Sequence, residues 1–293
     1  MIKLPDSLLC RLRGKLEDLQ IKKMQAQLAS RASIHAGASD TIVVGNAIPK
    51  SGTYLLNSII KTLGSWGNPD IHFIGGNAFL MNDTRDSELV AIDPLQGIRS
   101  LPNGVSVAAH LHYSPKLSAL FEESRFKHVF QYRDFRDVFV SYASFYAYGK
   151  NTAHWERPRQ EQKFYQEFFT EHRDRISYSI CKMMEIAGLE EYAGWLNDDN
   201  TLCVQFEDVY TELVDAKELG FGPSLSALLA YLGVDISKFD PVKFSKSVLG
   251  SGKTESGVKK KVRQFEQVFE EEHYRLLDND RFKRLMEQFK ITI

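Results

Sequence analysis

The apolar run Thr41–Ile48 is followed at once by Pro49-Lys50-Ser51-Gly52-Thr53-Tyr54 and then by the helix-like stretch Leu55–Leu63. A buried strand that turns tightly into a helix start is the opening unit of an α/β sheet, with its ligand chemistry at the carboxyl end of the strand. Backbone N–H groups at a helix N-terminus converge on one point, where the helix dipole already favours negative charge. Lys50 adds a cation there, and Ser51 and Thr53 add hydroxyls. The segment therefore reads as a cradle for a phosphate or sulfate.

The rest of the chain continues the pattern. Apolar strands are expected over Val105–His112, His128–Tyr132 and Thr201–Phe206. Helices are expected over Pro115–Glu123, Asp134–Tyr148, Arg159–Ala187 and Leu225–Leu232. Near-continuous apolar strands interleaved with helices predict an α/β fold, a central mostly parallel sheet flanked by helices around a P-loop-like nucleotide-binding core. Leu8, Leu9, Leu12, Leu16, Leu19, Met24 and Leu28 recur at helical spacing, so residues 1–40 read as an amphipathic arm, suited to packing or to forming a homodimer. Residues 41–293 read as a single domain. Within it Gly64–Asn103 looks turn-rich, with an acidic middle at Asp83, Asp86 and Glu88. Ser245–Lys261, rich in Ser, Gly and Lys, looks like a mobile lid, and Val262–Phe289 like an amphipathic helical tail.

Composition narrows the partners. With 37 Lys+Arg against 38 Asp+Glu, the chain has no basic excess to track a nucleic-acid polymer, while a small anion needs only a few placed cations. Cys10, Cys181 and Cys203 form no C-x-x-C pattern and read as free thiols of a reducing compartment. Neither a secretory leader nor an apolar run of about 18 residues is present, so a cytoplasmic protein without a transmembrane anchor is expected. No cluster of His, Cys and carboxylates calls for a metal.

Gly45-x-x-x-x-Lys50-Ser51 nearly fits a Walker A loop, but Pro49 stands where the second glycine belongs. Proline lacks that glycine's freedom at positive φ and removes a cradling N–H, which weighs against an ATP-dependent kinase. A second constellation lies at another strand end, in Arg133-Asp134-Phe135-Arg136-Asp137-Val138-Phe139-Val140-Ser141. Arg133 offers a planar fork for a terminal phosphate, and Ser141 a hydroxyl about two helical turns further on. The competing explanation for Arg133 is an i,i+4 surface bridge to Asp137.

Together the two segments resemble the sulfotransferases that use 3′-phosphoadenosine 5′-phosphosulfate (PAPS). Pro49-Lys50-Ser51-Gly52-Thr53-Tyr54-Leu55 is similar to that family's P-K-[SA]-G-[TN]-[TS]-[WL] loop, which binds the 5′-phosphosulfate. Arg133 to Ser141 is similar to its R-x-x-[RK]-D-x-x-x-S motif, which binds the 3′-phosphate. Ala108-Ala109-His110-Leu111 resembles the context of the family's general-base histidine and points to His110, with His112 two residues on expected to face the same side. Phe206-Glu207-Asp208-Val209 resembles Y-E-D-[ML], whose aromatic ring packs by the adenine. Ser251 to Lys259 is a degraded match to a C-terminal lid, and offers Lys253, Gly257 and Lys259 as phosphate contacts. The resemblance covers roughly Thr41 to Lys261.

Three departures bear on the site. Leu55 replaces a tryptophan that often stacks on adenine, Ala108 replaces a lysine near the transferred group, and Tyr54 replaces a small hydroxyl residue. The resemblance implies in-line sulfuryl transfer without a metal, with PAP as the product, Lys50 stabilising the leaving phosphate and His110 as general base. Its acceptor is expected to be a small molecule, first a secondary metabolite and next a glycan or glycolipid. The acceptor pocket is expected between Phe73–Arg99, the lid, and the helix bearing Phe145, Tyr146 and Tyr148.

Overall fold

The computed structural model describes residues 6–75, 77–81, 87–148, 175–251 and 262–292. Helix α1 (Asp6–Ile34) leads into strand β1 (Ile42–Ala47) and helix α2 (Thr53–Leu63). Next come β2 (Ile71–Ile74), β3 (Asn77–Met81), β4 (Ser87–Ala91), α3 (Pro94–Arg99), β5 (Ser106–His110), α4 (Pro115–Phe121), β6 (Phe126–Tyr132) and α5 (Phe135–Tyr148). A helix over Arg175–Ile186, a 3₁₀ stretch over Leu189–Asn197 and strand β7 (Thr201–Gln205) complete the sheet and lead to the C-terminal helices.

The seven strands lie in the order β4-β3-β2-β5-β1-β6-β7. β2, β5, β1, β6 and β7 run parallel, and only β3 and β4 are antiparallel to their neighbours. The mostly parallel α/β sheet expected from the sequence is thus present. β1 lies near the centre and is buried at all six positions, which is why it reads as an unbroken apolar run. Ile42 and Val44 enter one core with Phe73, Phe130, Phe139 and Trp195. Val43 enters a second core with Leu56, Ile59 and Ile60 of α2 and with Val129, Val204, Val209 and Leu228. Helices therefore cover both faces, and the carboxyl ends of β1, β5 and β6 lie side by side.

Several expectations change. Gly64–Asn103 is no run of turns: it holds β2, β3, β4 and α3. Strand Val105–His112 is shorter than expected and ends at His110. Residues 245–251, read as lid, belong to a helix over Pro241–Ser251. There Phe244 and Val248 are buried one helical turn apart in the second core, and the Ser245 hydroxyl donates to the Leu213 carbonyl. The expected lid residues Lys253, Gly257 and Lys259 lie outside the described residues, as do Asp83, Asp86 and residues 159–174 of the long helix. The C-terminal tail is three short helices, Phe265–Val268, Glu271–Leu277 and Asp280–Gln288. Asn279 restarts the last of them, its side-chain oxygen accepting from the Phe282 N–H. The last turns of α1 are built into the domain, with Leu28 and Ala32 fully buried and Arg31 Nε donating to the Pro69 carbonyl at 2.9 Å.

Candidate active site

The loop after β1 is wound tightly. The Ser51 N–H donates to the Ile48 carbonyl at 3.0 Å, and Lys50 is held at φ +70°. A non-glycine residue at positive φ is uncommon and persists where the surroundings enforce it. Gly52 follows at φ +97°, and its carbonyl accepts from Leu55 and Leu56, starting α2. A Cβ on Gly52 would stand 2.3 Å from Phe206 Cδ2 and 2.5 Å from Gln131 Nε2, so glycine is required both for its φ and for space. Gln131, fully buried near the end of β6, donates through Nε2 to the Ser51 carbonyl at 2.5 Å. The Ser51 hydroxyl is itself buried and lacks a partner among the described residues. Buried hydroxyls are normally paired, so an orphan at a helix N-terminus fits a site that awaits an anion. Thr53 is buried beside it, whereas Tyr54 turns its side chain outward.

Arg133 emerges from the end of β6 directly behind this loop. Its guanidinium lies over the Phe206 ring at 4.4 Å, the same ring that abuts Gly52. Arg133 donates to Asp137 Oδ2 at 3.1 Å and stands 3.7 Å from Glu207 Oε1. The i,i+4 bridge weighed against a binding role thus exists, but it is buried: Arg133 is 4 % exposed and Asp137 is fully enclosed. Asp137 also accepts from the Phe265 N–H at 3.1 Å, and Glu207 accepts from the Asp134 N–H at 3.1 Å. The bridge therefore fixes the fork in position rather than covering a surface. Burial pushes the Glu207 carboxyl up, and Arg133 opposes that shift. Arg136 turns away, pairing with Asp134 at 2.6 Å and stacking over Phe265 at 4.2 Å. Ser141 lies half-buried along α5.

His110 ends β5. Its Nδ1 lies 2.6 Å from the Ala47 carbonyl. A carbonyl can only accept, so Nδ1 carries the proton in the neutral ring and Nε2 keeps its lone pair. Burial lowers the His110 pKa to about 4; the Ala47 carbonyl raises it, and the Lys50 charge lowers it further. Lys50 and His110 are therefore close enough to couple. The His72 ring stands beside His110, with centroids 4.7 Å apart. His112 does not share that side. β5 has ended, and its Nδ1 is 2.9 Å from Glu191 Oε2 and its Nε2 3.2 Å from the Ala187 carbonyl.

Lys50, Ser51, Gly52 and Thr53 thus share one loop and helix start, Gly52 abuts Phe206, Arg133 stacks on that same ring, and His110 is bonded to Ala47, three residues before Lys50. Sequence reasoning did not assign Gln131, two residues before Arg133, or Glu207, inside the Phe206–Val209 match, the task of holding the loop and the arginine. It also missed His72, which sat in the segment read as turns. Among the described residues no group of three or more His, Cys, Asp or Glu side chains could hold a metal ion, and no helix is long and apolar enough to cross a membrane.

The sulfotransferase domain profile matches residues 38–216, which contain every one of these groups. The chain belongs to the sulfotransferase family, the PAPS-dependent enzymes that its two motifs resemble. Among solved structures it is similar to mouse sulfotransferase SULT7A1, complexed with PAP, at a TM-score of 0.52 and 15 % identity over 90 % of this chain and 89 % of that one. Retinol dehydratase, in complex with androsterone and PAP, matches at a TM-score of 0.45 and 16 % identity over 86 % and 80 %. At such identity the first of these likenesses speaks for the fold. No curated protein matches the sequence.

Proposed function

We propose that this enzyme moves the sulfuryl group of PAPS to a hydroxyl of a small-molecule acceptor, with Lys50 and His110 as its catalytic residues. The observation that carries the reading is the meeting, at the ends of the adjacent strands β1, β5 and β6, of a cation, a neutral base and a buried arginine fork. When bound, PAPS supplies the activated sulfuryl group: the acceptor O–S bond forms as the bond to the 5′-phosphate oxygen breaks, and PAP remains.

The chain's residues divide the work. The N–H groups at the start of α2, with Ser51 and Thr53, hold the 5′ end, and the orphaned Ser51 hydroxyl gains its partner there. Lys50 balances charge that builds on the leaving oxygen, where preorganised charge has the largest effect on rate. Arg133 and Ser141 hold the 3′-phosphate, while Asp137 and Glu207 keep the Arg133 fork aimed. Phe206 packs beside the nucleotide, and Lys253, Gly257 and Lys259 supply further phosphate contacts. Tyr54, in the same first turn, contributes through its backbone N–H because its ring faces outward.

His110 receives the acceptor's proton at Nε2. The Ala47 carbonyl fixes the tautomer needed for that step. A pKa near 4 keeps the ring neutral at pH 7, and an anionic ligand opposite Lys50 raises its proton affinity when the base is needed. The acceptor we favour is a small secondary metabolite, then a glycan or glycolipid hydroxyl, bound between the segment Phe73–Arg99 and the helix carrying Phe145, Tyr146 and Tyr148. A cytoplasmic location agrees with Cys181 and Cys203 standing as thiols outside any disulfide.

Transfer of label from ³⁵S-PAPS across phenols, sugars and guanidinium alcohols tests the reading. It expects labelled product that disappears in Lys50→Ala and His110→Ala. Hydrolysis of the donor without transfer to any member, or full transfer by both variants, refutes it.

A further inference from the structure

His72 is half-buried on β2, and its Cα partner across the sheet is Ala108, two residues before His110. Residues two apart on a strand share a face, and the small Ala108 leaves the space beside His110 to the His72 ring, 4.7 Å away between centroids and tilted by 46°. His72 Nε2 is buried with no hydrogen-bond partner among the described residues. Leaving such a group unpaired costs about 1–3 kcal/mol, so an orphan nitrogen beside the base suggests that a ligand supplies the partner.

We propose that His72 and His110 clamp one acceptor oxygen, and that the clamp selects hydroxyl over amine acceptors. This rests on His110 serving as the base. The acceptor hydroxyl donates its proton to His110 Nε2, and one oxygen lone pair attacks sulfur. The second lone pair accepts from His72 Nε2–H. With hydrogen bonds of about 2.8 Å, one oxygen can reach two rings at this spacing. An amine nitrogen has a single lone pair, which the new N–S bond consumes, so His72 N–H faces an atom with nothing to accept it. Burial, with a smaller contribution from His110 when that ring is protonated, lowers the His72 pKa to about 3, so the ring stays neutral at pH 7. His72 is thus a specificity-determining residue that acts on the attacking atom without taking its proton.

The test compares kcat/KM for matched acceptors that are neutral at the assay pH, beginning with 2-naphthol against 2-naphthylamine and extending to the best hydroxyl acceptor of the transfer screen and its amine counterpart. The wild type should favour hydroxyl. In His72→Phe, kcat/KM for the hydroxyl acceptor should fall about tenfold, mainly through KM, with the amine value unchanged. His72→Gln, whose amide N–H reaches a similar position, should recover most of the preference. A purely structural role would lower both acceptors together, and thermal melting of each variant tracks folding. A wild-type preference for amines, or a hydroxyl preference that survives in both variants, overturns the clamp. Failure of ³⁵S transfer to every acceptor instead removes the sulfotransfer reading on which the clamp rests.

Discussion

Alanine at Gly52 tests how the anion loop is held. At φ +97° an L side chain costs about 1–2 kcal/mol from backbone strain. Its Cβ would also stand 2.3 Å from the Phe206 ring and 2.5 Å from Gln131 Nε2, so one of them must move. Overpacking of this kind typically costs about 1–3 kcal/mol, giving a total of about 2–5 kcal/mol of lost stability. Gly64 supplies the control: its φ is +71° and a Cβ there would meet nothing within 4 Å, so Gly64→Ala should lose only about 1–2 kcal/mol. The two variants should part further in binding. Phe206 lies under Arg133 at 4.4 Å, so moving the ring disturbs the phosphate fork. Loss of one charge-assisted contact, about 1.5–3 kcal/mol, weakens PAP binding roughly 10- to 100-fold. Urea midpoints and calorimetric PAP titrations of both variants measure the two effects. Equal stability and equal PAP affinity in the two would refute the claim that Phe206 and Gln131 hold the loop for the nucleotide.

Other perturbations separate chemistry from binding. His110→Ala should lower kcat by about 10²–10⁴-fold with PAP affinity unchanged, measured by ³⁵S transfer and calorimetry. Arg133→Ala should weaken PAP binding and also destabilise the fold by about 3–5 kcal/mol, because Asp137 and Glu207 are left without their cation. Arg133→Lys should keep more of the stability while still losing affinity, since a point charge replaces the fork. Acid should destabilise the protein early. His72, His110 and His128 have folded pKa values of about 3, 4 and 3, all below the ordinary 6.5, chiefly through burial. The unfolded chain takes up protons that the folded one refuses, so stability is full above pH 6.5 and falls as pH drops toward 4. Each histidine contributes about 1.4 kcal/mol per pH unit within that window. Urea midpoints that stay flat between pH 7 and pH 5 would contradict the burial of all three rings.

The parts of the molecule that were legible in the sequence share a physical cause. β1 is buried on both faces, so its apolar run could be read without knowing its neighbours. Pro49-Lys50-Ser51-Gly52 and Arg133 are local patterns, each carried by a few consecutive residues. β2 and β3 gave weaker signals, because they are four and five residues long and Ile71, Phe73, Ala78 and Leu80 enter the core only at alternate positions. Missing β2 also hid His72, whose meaning depends on a partner 38 positions away across the sheet. The helix over Pro241–Ser251 was hidden by its serines and lysines, though Phe244 and Val248 had the i,i+4 spacing of a buried face. The tasks of Gln131 and Glu207 depend on the pairing of β6 with β1, which sets Gln131 beside Ser51, and with β7, which brings Glu207 to Arg133.

The nucleotide preference of the site is the most direct measure of its function. Calorimetric titration of PAP, and separately of ATP with Mg²⁺, should give saturable binding of PAP that weakens in Arg133→Lys, and no comparable binding of ATP. Magnesium-dependent ATP binding in the absence of PAP binding would contradict the assignment of the Pro49–Tyr54 loop and Arg133 to PAPS.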